Sequence, residues 1–296
     1  MKKIFLFFIL CCSCHPRNYF CQEQQSLKNN SPKLVVGIVV DQMRYDYLSR
    51  YWDKFGEGGF KKLVRNGFNC KNTHYNYVPT YTAPGHASIY TGTTPAIHGI
   101  ISNFWFDKAV NKMIYCVDDP DLNSVGTSSA KGKMSSKRMM VTTMTDQLRL
   151  HTMKQSKCYG IALKERSAIL PAGHTANGAF WYDGSTGGFV TSSHYMNQLP
   201  KWMNDFNVTH HASTYLKQGW KPLLPLENYT ESTADNSPYE NAPTQPGKPF
   251  FPYDYKEALE TKKFDVLAYT PFGNTITKDL AIECLRSEQL GKDDVC

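Results

Sequence analysis

The amino-acid sequence predicts an α/β fold built on a parallel sheet. Residues 35–40 and 157–163 are largely apolar runs without polar alternation, which is typical of strands covered on both faces. Helical periodicity follows the first run and recurs before and after the second, and alternation of strands and helices is the pattern of α/β domains. The 296 residues are 41% hydrophobic, so the chain can bury a sizeable core.

The first predicted strand ends at Asp41, which places this carboxylate at the sheet edge where open α/β sheets bind ligands. Helical spacing over 45–55 follows, then a shorter helix from Phe60 that Gly67 can cap. Residues 68–77 are interpreted as a short strand that leads into a turn.

That turn, PTYTAPGH at 79–86, presents the hydroxyl of Thr82 just before a helix predicted at 85–90. A helix N-terminus attracts anions through its free N–H groups and its dipole. A metal-binding carboxylate at Asp41 beside such a hydroxyl suggests metal-assisted attack on phosphate or sulfate.

Further along, the sequence predicts a loop or short strand at 99–103, a helix at 140–153, the second strand at 157–163 and a helix at 275–290. Residues 171–271 are rich in Gly, Pro, Asn, Tyr and Trp and show no sustained helical period. The expected domains are a signal peptide at 1–21, a linker at 22–32, an N-terminal α/β catalytic core at 33–170, an inserted irregular subdomain at 171–271, and a return to a truncated core at 272–296.

The N-terminus predicts export to the periplasm or outer surface. Two lysines precede an apolar stretch that is too short to span a bilayer. Cleavage near Cys21 is one interpretation, and a lipid anchor on Cys11, Cys12 or Cys14 is the other. No later segment reaches transmembrane length. The net charge of +7 is dispersed, so no nucleic-acid partner is expected. Export permits a disulfide, and Cys70 with Cys116 is one candidate pairing.

The chain resembles the alkaline phosphatase superfamily from about Lys33 to its end. The segments that carry the resemblance are VVDQMR at 39–44, PTYTAPGH at 79–86, HGIISN at 98–103, LKER at 163–166 and TPFGN at 270–274. The likeness is greatest to the phosphate-irrepressible bacterial alkaline phosphatases with a threonine nucleophile, and the nucleotide pyrophosphatase/phosphodiesterases are the sister group. It implies an α/β parallel-sheet sandwich of alkaline phosphatase type, incomplete here.

The resemblance also implies two zinc ions in the complete enzyme and small phosphorylated substrates. Asp41 would ligate one zinc, and Thr82 would ligate the same ion, attack phosphorus and form a phosphothreonine. Asn103 would donate to a phosphoryl oxygen, and Lys164 and Arg166 would meet the remaining charge. The Lys-x-Arg pair favours monoesters, because a diester lacks the extra charged oxygen.

The family's other zinc ligands, including an Asp-x-x-Gly-His-like segment, do not appear in this sequence. Stable zinc sites use three or four protein ligands, so we expect this chain alone to bind zinc poorly and to have little activity. The alternatives are a phosphodiesterase or nucleotide pyrophosphatase, a sulfatase-like hydrolase, and a non-catalytic secreted binding protein.

Each site residue also has a purely structural interpretation. Asp41 and Thr82 can each cap a helix, and Asn103 can be a turn residue. Lys164 and Arg166 can lie at a solvated strand end. His86 and His98 are interpreted as structural histidines rather than metal ligands, because their flanks match non-ligand positions of the family.

Overall fold

A mixed four-stranded sheet and a separate hairpin make up the strands of the fold. The computed structural model describes residues 32–237 and 250–293, so the predicted signal peptide, lipidation cysteines and most of the linker lie outside the described residues. The strands are β1 (Phe104–Asp107), β2 (Lys112–Tyr115), β3 (Ser124–Val125), β4 (Tyr159–Ala162), β5 (Gly178–Asp183) and β6 (Gly188–Ser192).

The sheet has the order β3-β6-β5-β4, and β1 pairs with β2 in the hairpin. Only β4 and β5 are parallel, whereas β6 runs antiparallel to both β5 and β3. The α/β class is therefore confirmed, but the described sheet is mixed rather than parallel throughout.

Helices cover both faces of the sheet. The helices of the described residues are α1 (Tyr47–Arg50), α2 (Gly59–Asn66), α3 (Thr82–Thr91), α4 (Pro95–His98), α5 (Met144–His151), α6 (Glu165–Ala172), α7 (Lys201–Val208), α8 (His211–Leu216), α9 (Lys256–Glu260) and α10 (Pro271–Ser287), with short 3-10 turns at Trp52–Lys54, Ala130–Gly132, Leu226–Asn228 and Phe264–Tyr269. No helix of the described residues combines the length and apolar composition that crossing a bilayer requires.

Strand β5 separates two apolar cores. Successive side chains of a strand point to opposite faces, and all six residues of β5 are buried. Ala179 and Trp181 join a core shared with α3 and α6, which we call the site-side core. Phe180 and Tyr182 join the opposite core, to which α7, α8 and α10 contribute.

The apolar run at 35–40 departs from its prediction. No strand is assigned over these residues, and Ile38 is 80% exposed. A central strand requires neighbours on both edges and both faces; within the described ranges the run has no ladder partner. Gly37 approaches helix α3 closely, because a Cβ there would lie 2.3 Å from the Tyr90 hydroxyl oxygen.

The segment predicted as an irregular insert is more regular than expected. Residues 171–271 contain β5 and β6, which occupy the centre of the sheet, together with the helices α7 and α8. The prediction failed here because these helices are short and because strands buried on both faces carry no polar alternation. The proposed domain boundaries stay predictions.

Most other predicted elements are confirmed with shifted ends. Helices α2, α5 and α10 and strand β4 lie within or overlap their predicted ranges. The helix predicted at 45–55 breaks into α1 and a 3-10 turn, and residues 68–77 form no strand. Cys70 is exposed and Cys116 is buried, and both thiols are free, so the suggested disulfide is wrong.

The two apolar regions predict unequal costs of substitution. Leu280→Ala, at a fully buried position of α10, should lower the free energy of unfolding by about 2–5 kcal/mol through lost burial and a cavity. Ile38→Ser should change it by less than about 0.5 kcal/mol, because Ile38 is mostly exposed. Urea denaturation measures both, and similar losses for the two variants would contradict this assignment of the core.

Candidate active site

Thr82 stands at the first position of α3 and makes its hydrogen bond to Asp41. Its Oγ1 donates to Asp41 Oδ2 at 3.1 Å, and only 9% of the residue is exposed. Tyr81 is the N-cap residue of α3, and Asp46 is that of α1. Neither Thr82 nor Asp41 is therefore a helix cap, so the structural interpretations of these two residues are wrong.

Asn103 is oriented by the N-terminus of the same helix. The Ala83 backbone N–H donates to Asn103 Oδ1 at 2.9 Å. Because an N–H can only donate, the carboxamide oxygen must face the helix, and the NH2 group points away from it as a free donor. The Cys116 N–H donates to the Asn103 carbonyl at 3.0 Å, which joins this residue to the end of β2.

A buried histidine holds the loop that carries Asn103. Helix α4 ends at Gly99 with a left-handed φ of 80°. The Ile100 N–H donates to His98 Nδ1 at 3.1 Å, so the ring proton lies on Nε2, which donates to Ser88 Oγ at 3.0 Å. His98 is fully buried, and burial lowers its pKa. His98 thus ties α3 to the loop in its neutral form.

His86 has a similar structural role inside α3. It is 5% exposed, and its Nδ1 lies 2.8 Å from the Thr82 carbonyl oxygen. Since a carbonyl only accepts, Nδ1 carries the proton of this bond. This hydrogen bond stabilises the first turn of α3, which begins with Thr82.

Helix α6 brings Arg166 and Lys164 to the same side of the sheet as α3. Ala83 and Ala87 of α3 and Ala168 of α6 belong to the site-side core, and such small side chains let helices approach closely. A Cβ at Gly160 would lie 2.2 Å from the Ala168 carbonyl oxygen, so β4 also packs tightly on α6.

The two cations differ in their surroundings. Lys164 is the N-cap residue of α6 and is exposed. The Arg166 side chain is only 13% exposed, and its Nη1 donates to the Tyr115 hydroxyl at 2.7 Å. Glu165 lies beside it, with Oε1 at 3.6 Å from Arg166 Nη1. The Arg166 guanidinium is therefore fixed by protein contacts, whereas the Lys164 ammonium group is solvated.

A direct hydrogen bond joins Thr82 to Asp41, and Asn103 bonds the backbone N–H of Ala83, the residue after Thr82. The structure adds two residues that the sequence did not single out. Tyr115 has no motif around it, and only its pairing with Phe104 in the hairpin places it beside Asn103. Glu165 was visible only as the middle residue of the Lys-Glu-Arg segment.

The described residues that could hold a metal are fewer than a zinc site needs. Asp41 and Thr82 offer one carboxylate and one hydroxyl oxygen, whereas zinc sites take three or four protein ligands. No cluster of three or more His, Cys, Asp or Glu side chains with metal-binding geometry occurs within 32–237 and 250–293. The described residues alone do not complete a zinc site.

Comparison with known proteins identifies relatives. The profile of the family described as "Type I phosphodiesterase / nucleotide pyrophosphatase" matches residues 35–261. Alkaline phosphatase PhoV of Synechococcus elongatus is 49% identical over 88% of this chain and 47% of its own length. Alkaline phosphatase PafA of Elizabethkingia meningoseptica is 48% identical over 89% of this chain and 48% of its own length.

A solved structure shows the same fold. The crystal structure of wild-type alkaline phosphatase PafA superimposes with a TM-score of 0.87 at 48% identity, covering 89% of this chain and 51% of that chain. The chain thus spans about half the length of the curated relatives that it matches.

The buried neutral His98 predicts a loss of stability in mild acid. Because its folded pKa is lowered, the unfolded state, with a pKa near 6.5, takes up the proton first, and stability falls below about pH 6.5 by up to ~1.4 kcal/mol per pH unit. The free energy of unfolding at pH 7.5 and pH 5.5 should therefore differ less in His98→Gln than in the parent. The exposed His151→Gln should keep the parental difference; the same reduction in both variants would refute the assignment.

Proposed function

The chain belongs to the type I phosphodiesterase/nucleotide pyrophosphatase family of the alkaline phosphatase superfamily, and we propose that it supplies the nucleophile side of a phosphate monoester hydrolase. The observation that carries the proposal is the Thr82 hydroxyl on Asp41 at the start of α3. Two relatives of nearly 50% identity are named alkaline phosphatases, which supports the same reaction class.

Thr82 is proposed as the nucleophile that forms a phosphothreonine. The Asp41 carboxylate accepts the hydroxyl hydrogen bond and orients the oxygen for attack. The N–H groups and dipole at the start of α3 favour negative charge there. The free NH2 group of Asn103 is available for a phosphoryl oxygen, since its carboxamide oxygen is already engaged by Ala83.

Lys164 and Arg166 are proposed to bind the charge of a terminal phosphate. A monoester is a dianion near neutral pH, and a guanidinium can engage two of its oxygens. The Arg166 guanidinium bonds the Tyr115 hydroxyl, whereas Lys164 is exposed and is proposed to follow the substrate. Small phosphorylated molecules are therefore the proposed substrates.

Zinc belongs to the proposal as the family's metal, with Asp41 and Thr82 as two ligands of one ion. When bound, such a metal lowers the pKa of the hydroxyl and stabilises charge on the phosphoryl oxygens. The remaining ligands are not among the described residues. Export to the periplasm or outer surface, with or without a lipid anchor, is proposed on the N-terminal sequence alone.

A second candidate activity comes from the matched family itself. Its description names phosphodiesterases and nucleotide pyrophosphatases, whose substrates carry one charged oxygen fewer at the reacting phosphorus. Arg166 distinguishes the two candidates, because a partly buried guanidinium gains most from a dianion. A non-catalytic binding protein is the third candidate. Turnover that is lost when Thr82 is replaced by alanine would exclude it.

The nucleophile is tested in a chimaera in which this chain replaces the segment that it matches in the Elizabethkingia alkaline phosphatase. Thr82→Ala should lower hydrolysis of p-nitrophenyl phosphate at least about 1000-fold, and a zinc chelator should abolish the parental rate. Thr91→Ala is the matched control, because the Thr91 hydroxyl bonds two backbone groups near its own position in the chain, the Ala87 carbonyl and the Thr93 N–H. A Thr82→Ala chimaera that keeps its activity would sink the proposal.

Substrate class is tested by Arg166→Ala in the same chimaera. Monoester kcat/KM should fall about 10- to 100-fold, the value of one or two charge-assisted hydrogen bonds. Bis-p-nitrophenyl phosphate hydrolysis should change little. Arg65→Ala, at an exposed arginine of α2, is the control. Equal losses for both substrates would favour the diesterase.

A further inference from the structure

The hairpin of β1 and β2 connects two of the groups proposed to contact phosphate, Asn103 and Arg166. Phe104 of β1 pairs with Tyr115 of β2, so Asn103 and Tyr115 lie at the same end of the hairpin. Asn103 reaches back to the N-terminus of α3, and the Tyr115 hydroxyl contacts Arg166 and Glu165 of α6. One rigid element therefore touches both helices.

The direction of each hydrogen bond at Tyr115 is fixed by chemistry. Arg166 can only donate, so the phenol oxygen accepts from its Nη1 at 2.7 Å. The phenol O–H therefore donates its hydrogen bond to Glu165 Oε1, and the two oxygens are in close contact. Burial, reinforced by the charge of Glu165, raises the pKa of Tyr115, which keeps that proton in place. The hydroxyl thus bridges a cation and an anion that are adjacent in sequence.

Arg166 depends on this hydroxyl for its position. Its Nε is buried and makes no hydrogen bond among the described residues. The guanidinium carbon also lies over the Tyr115 ring, 5.9 Å from its centre, within the range of a cation–π contact. Tyr115 therefore contacts Arg166 through both its ring and its hydroxyl oxygen, and only the hydroxyl is removed in Tyr115→Phe. The remaining polar neighbour of the guanidinium is the Glu165 carboxylate at 3.6 Å.

We propose that the Tyr115 hydroxyl is a positioning group for Arg166, which it holds away from Glu165 so that the guanidinium stays available to an anionic ligand. A guanidinium without this bond closes onto Glu165, and the charge is then neutralised within the protein. The part of the inference that concerns phosphate rests on the proposed function; the position of Arg166 does not.

The positioning role is tested by NMR on the complete 296-residue chain labelled at arginine guanidinium groups. The Arg166 signal is assigned by its loss in Arg166→Lys. Tyr115→Phe should speed rotation of the Arg166 guanidinium about tenfold, the scale of one hydrogen bond to a charged group. Tyr182→Phe, which removes a buried hydroxyl bonded to the Phe264 carbonyl at 3.0 Å, should leave it unchanged.

Glu165→Gln separates the two explanations, because it removes the ion pair and keeps an acceptor for the phenol. Slow Arg166 rotation in Glu165→Gln together with fast rotation in Tyr115→Phe supports the inference. Fast rotation in Glu165→Gln with slow rotation in Tyr115→Phe overturns it, since the ion pair would then hold the guanidinium.

Inorganic phosphate added to the same samples tests the dependent part. Phosphate should shift the Arg166 signals of the parent. The same shift in Tyr115→Phe should require a phosphate concentration about tenfold higher. An equal requirement in both would overturn the claim that Tyr115 keeps Arg166 available to anions. A parent that shows no shift counts against the proposed function, while the rotation rates still decide where Arg166 is held.

Discussion

The close packing of α3 on α6 is the contact on which the candidate site depends. Alanines on both helices, Ala83, Ala87 and Ala168 among them, belong to the core that the helices share, and small side chains allow helix axes to approach closely. This contact brings α3, whose first residue is Thr82, against α6, which begins beside Lys164 and contains Arg166. A larger side chain at one of these alanines would push the two helices apart and would therefore displace Thr82 relative to Lys164 and Arg166.

Hydrogen bonds near this contact fix the orientation of polar groups in the candidate site. Ala83 fixes the orientation of the Asn103 carboxamide, and Ile100 fixes the tautomer of His98. The hairpin then joins Asn103 to the residue that contacts Arg166. The neighbours of Asn103 and His98 therefore determine which of their atoms donate and which accept hydrogen bonds, as in preorganised sites.

Local sequence signals predicted the parts of the site that depend on short segments. The turn with Thr82 and the strand end before Lys164 are such cases, and the position of Asp41 after an apolar run already suggested its pairing with Thr82. Tyr115 was missed, because only strand register brings it near Arg166. The strand predicted at 35–40 is wrong. An apolar run indicates that a segment is suited to burial, but it does not show which residues would cover it.

The hydrogen bond between Thr82 and Asp41 joins two regions of unequal local stability. Thr82 sits on a buried helix, whereas Asp41 follows an apolar run that is exposed and has no ladder partner among the described residues. Segments with few buried contacts open at low free energy and exchange their amide protons quickly. The lifetime of this hydrogen bond is therefore set by the order of residues 35–41 rather than by α3, and any contact that stabilises that run would also keep the Thr82 hydroxyl on the Asp41 carboxylate for longer.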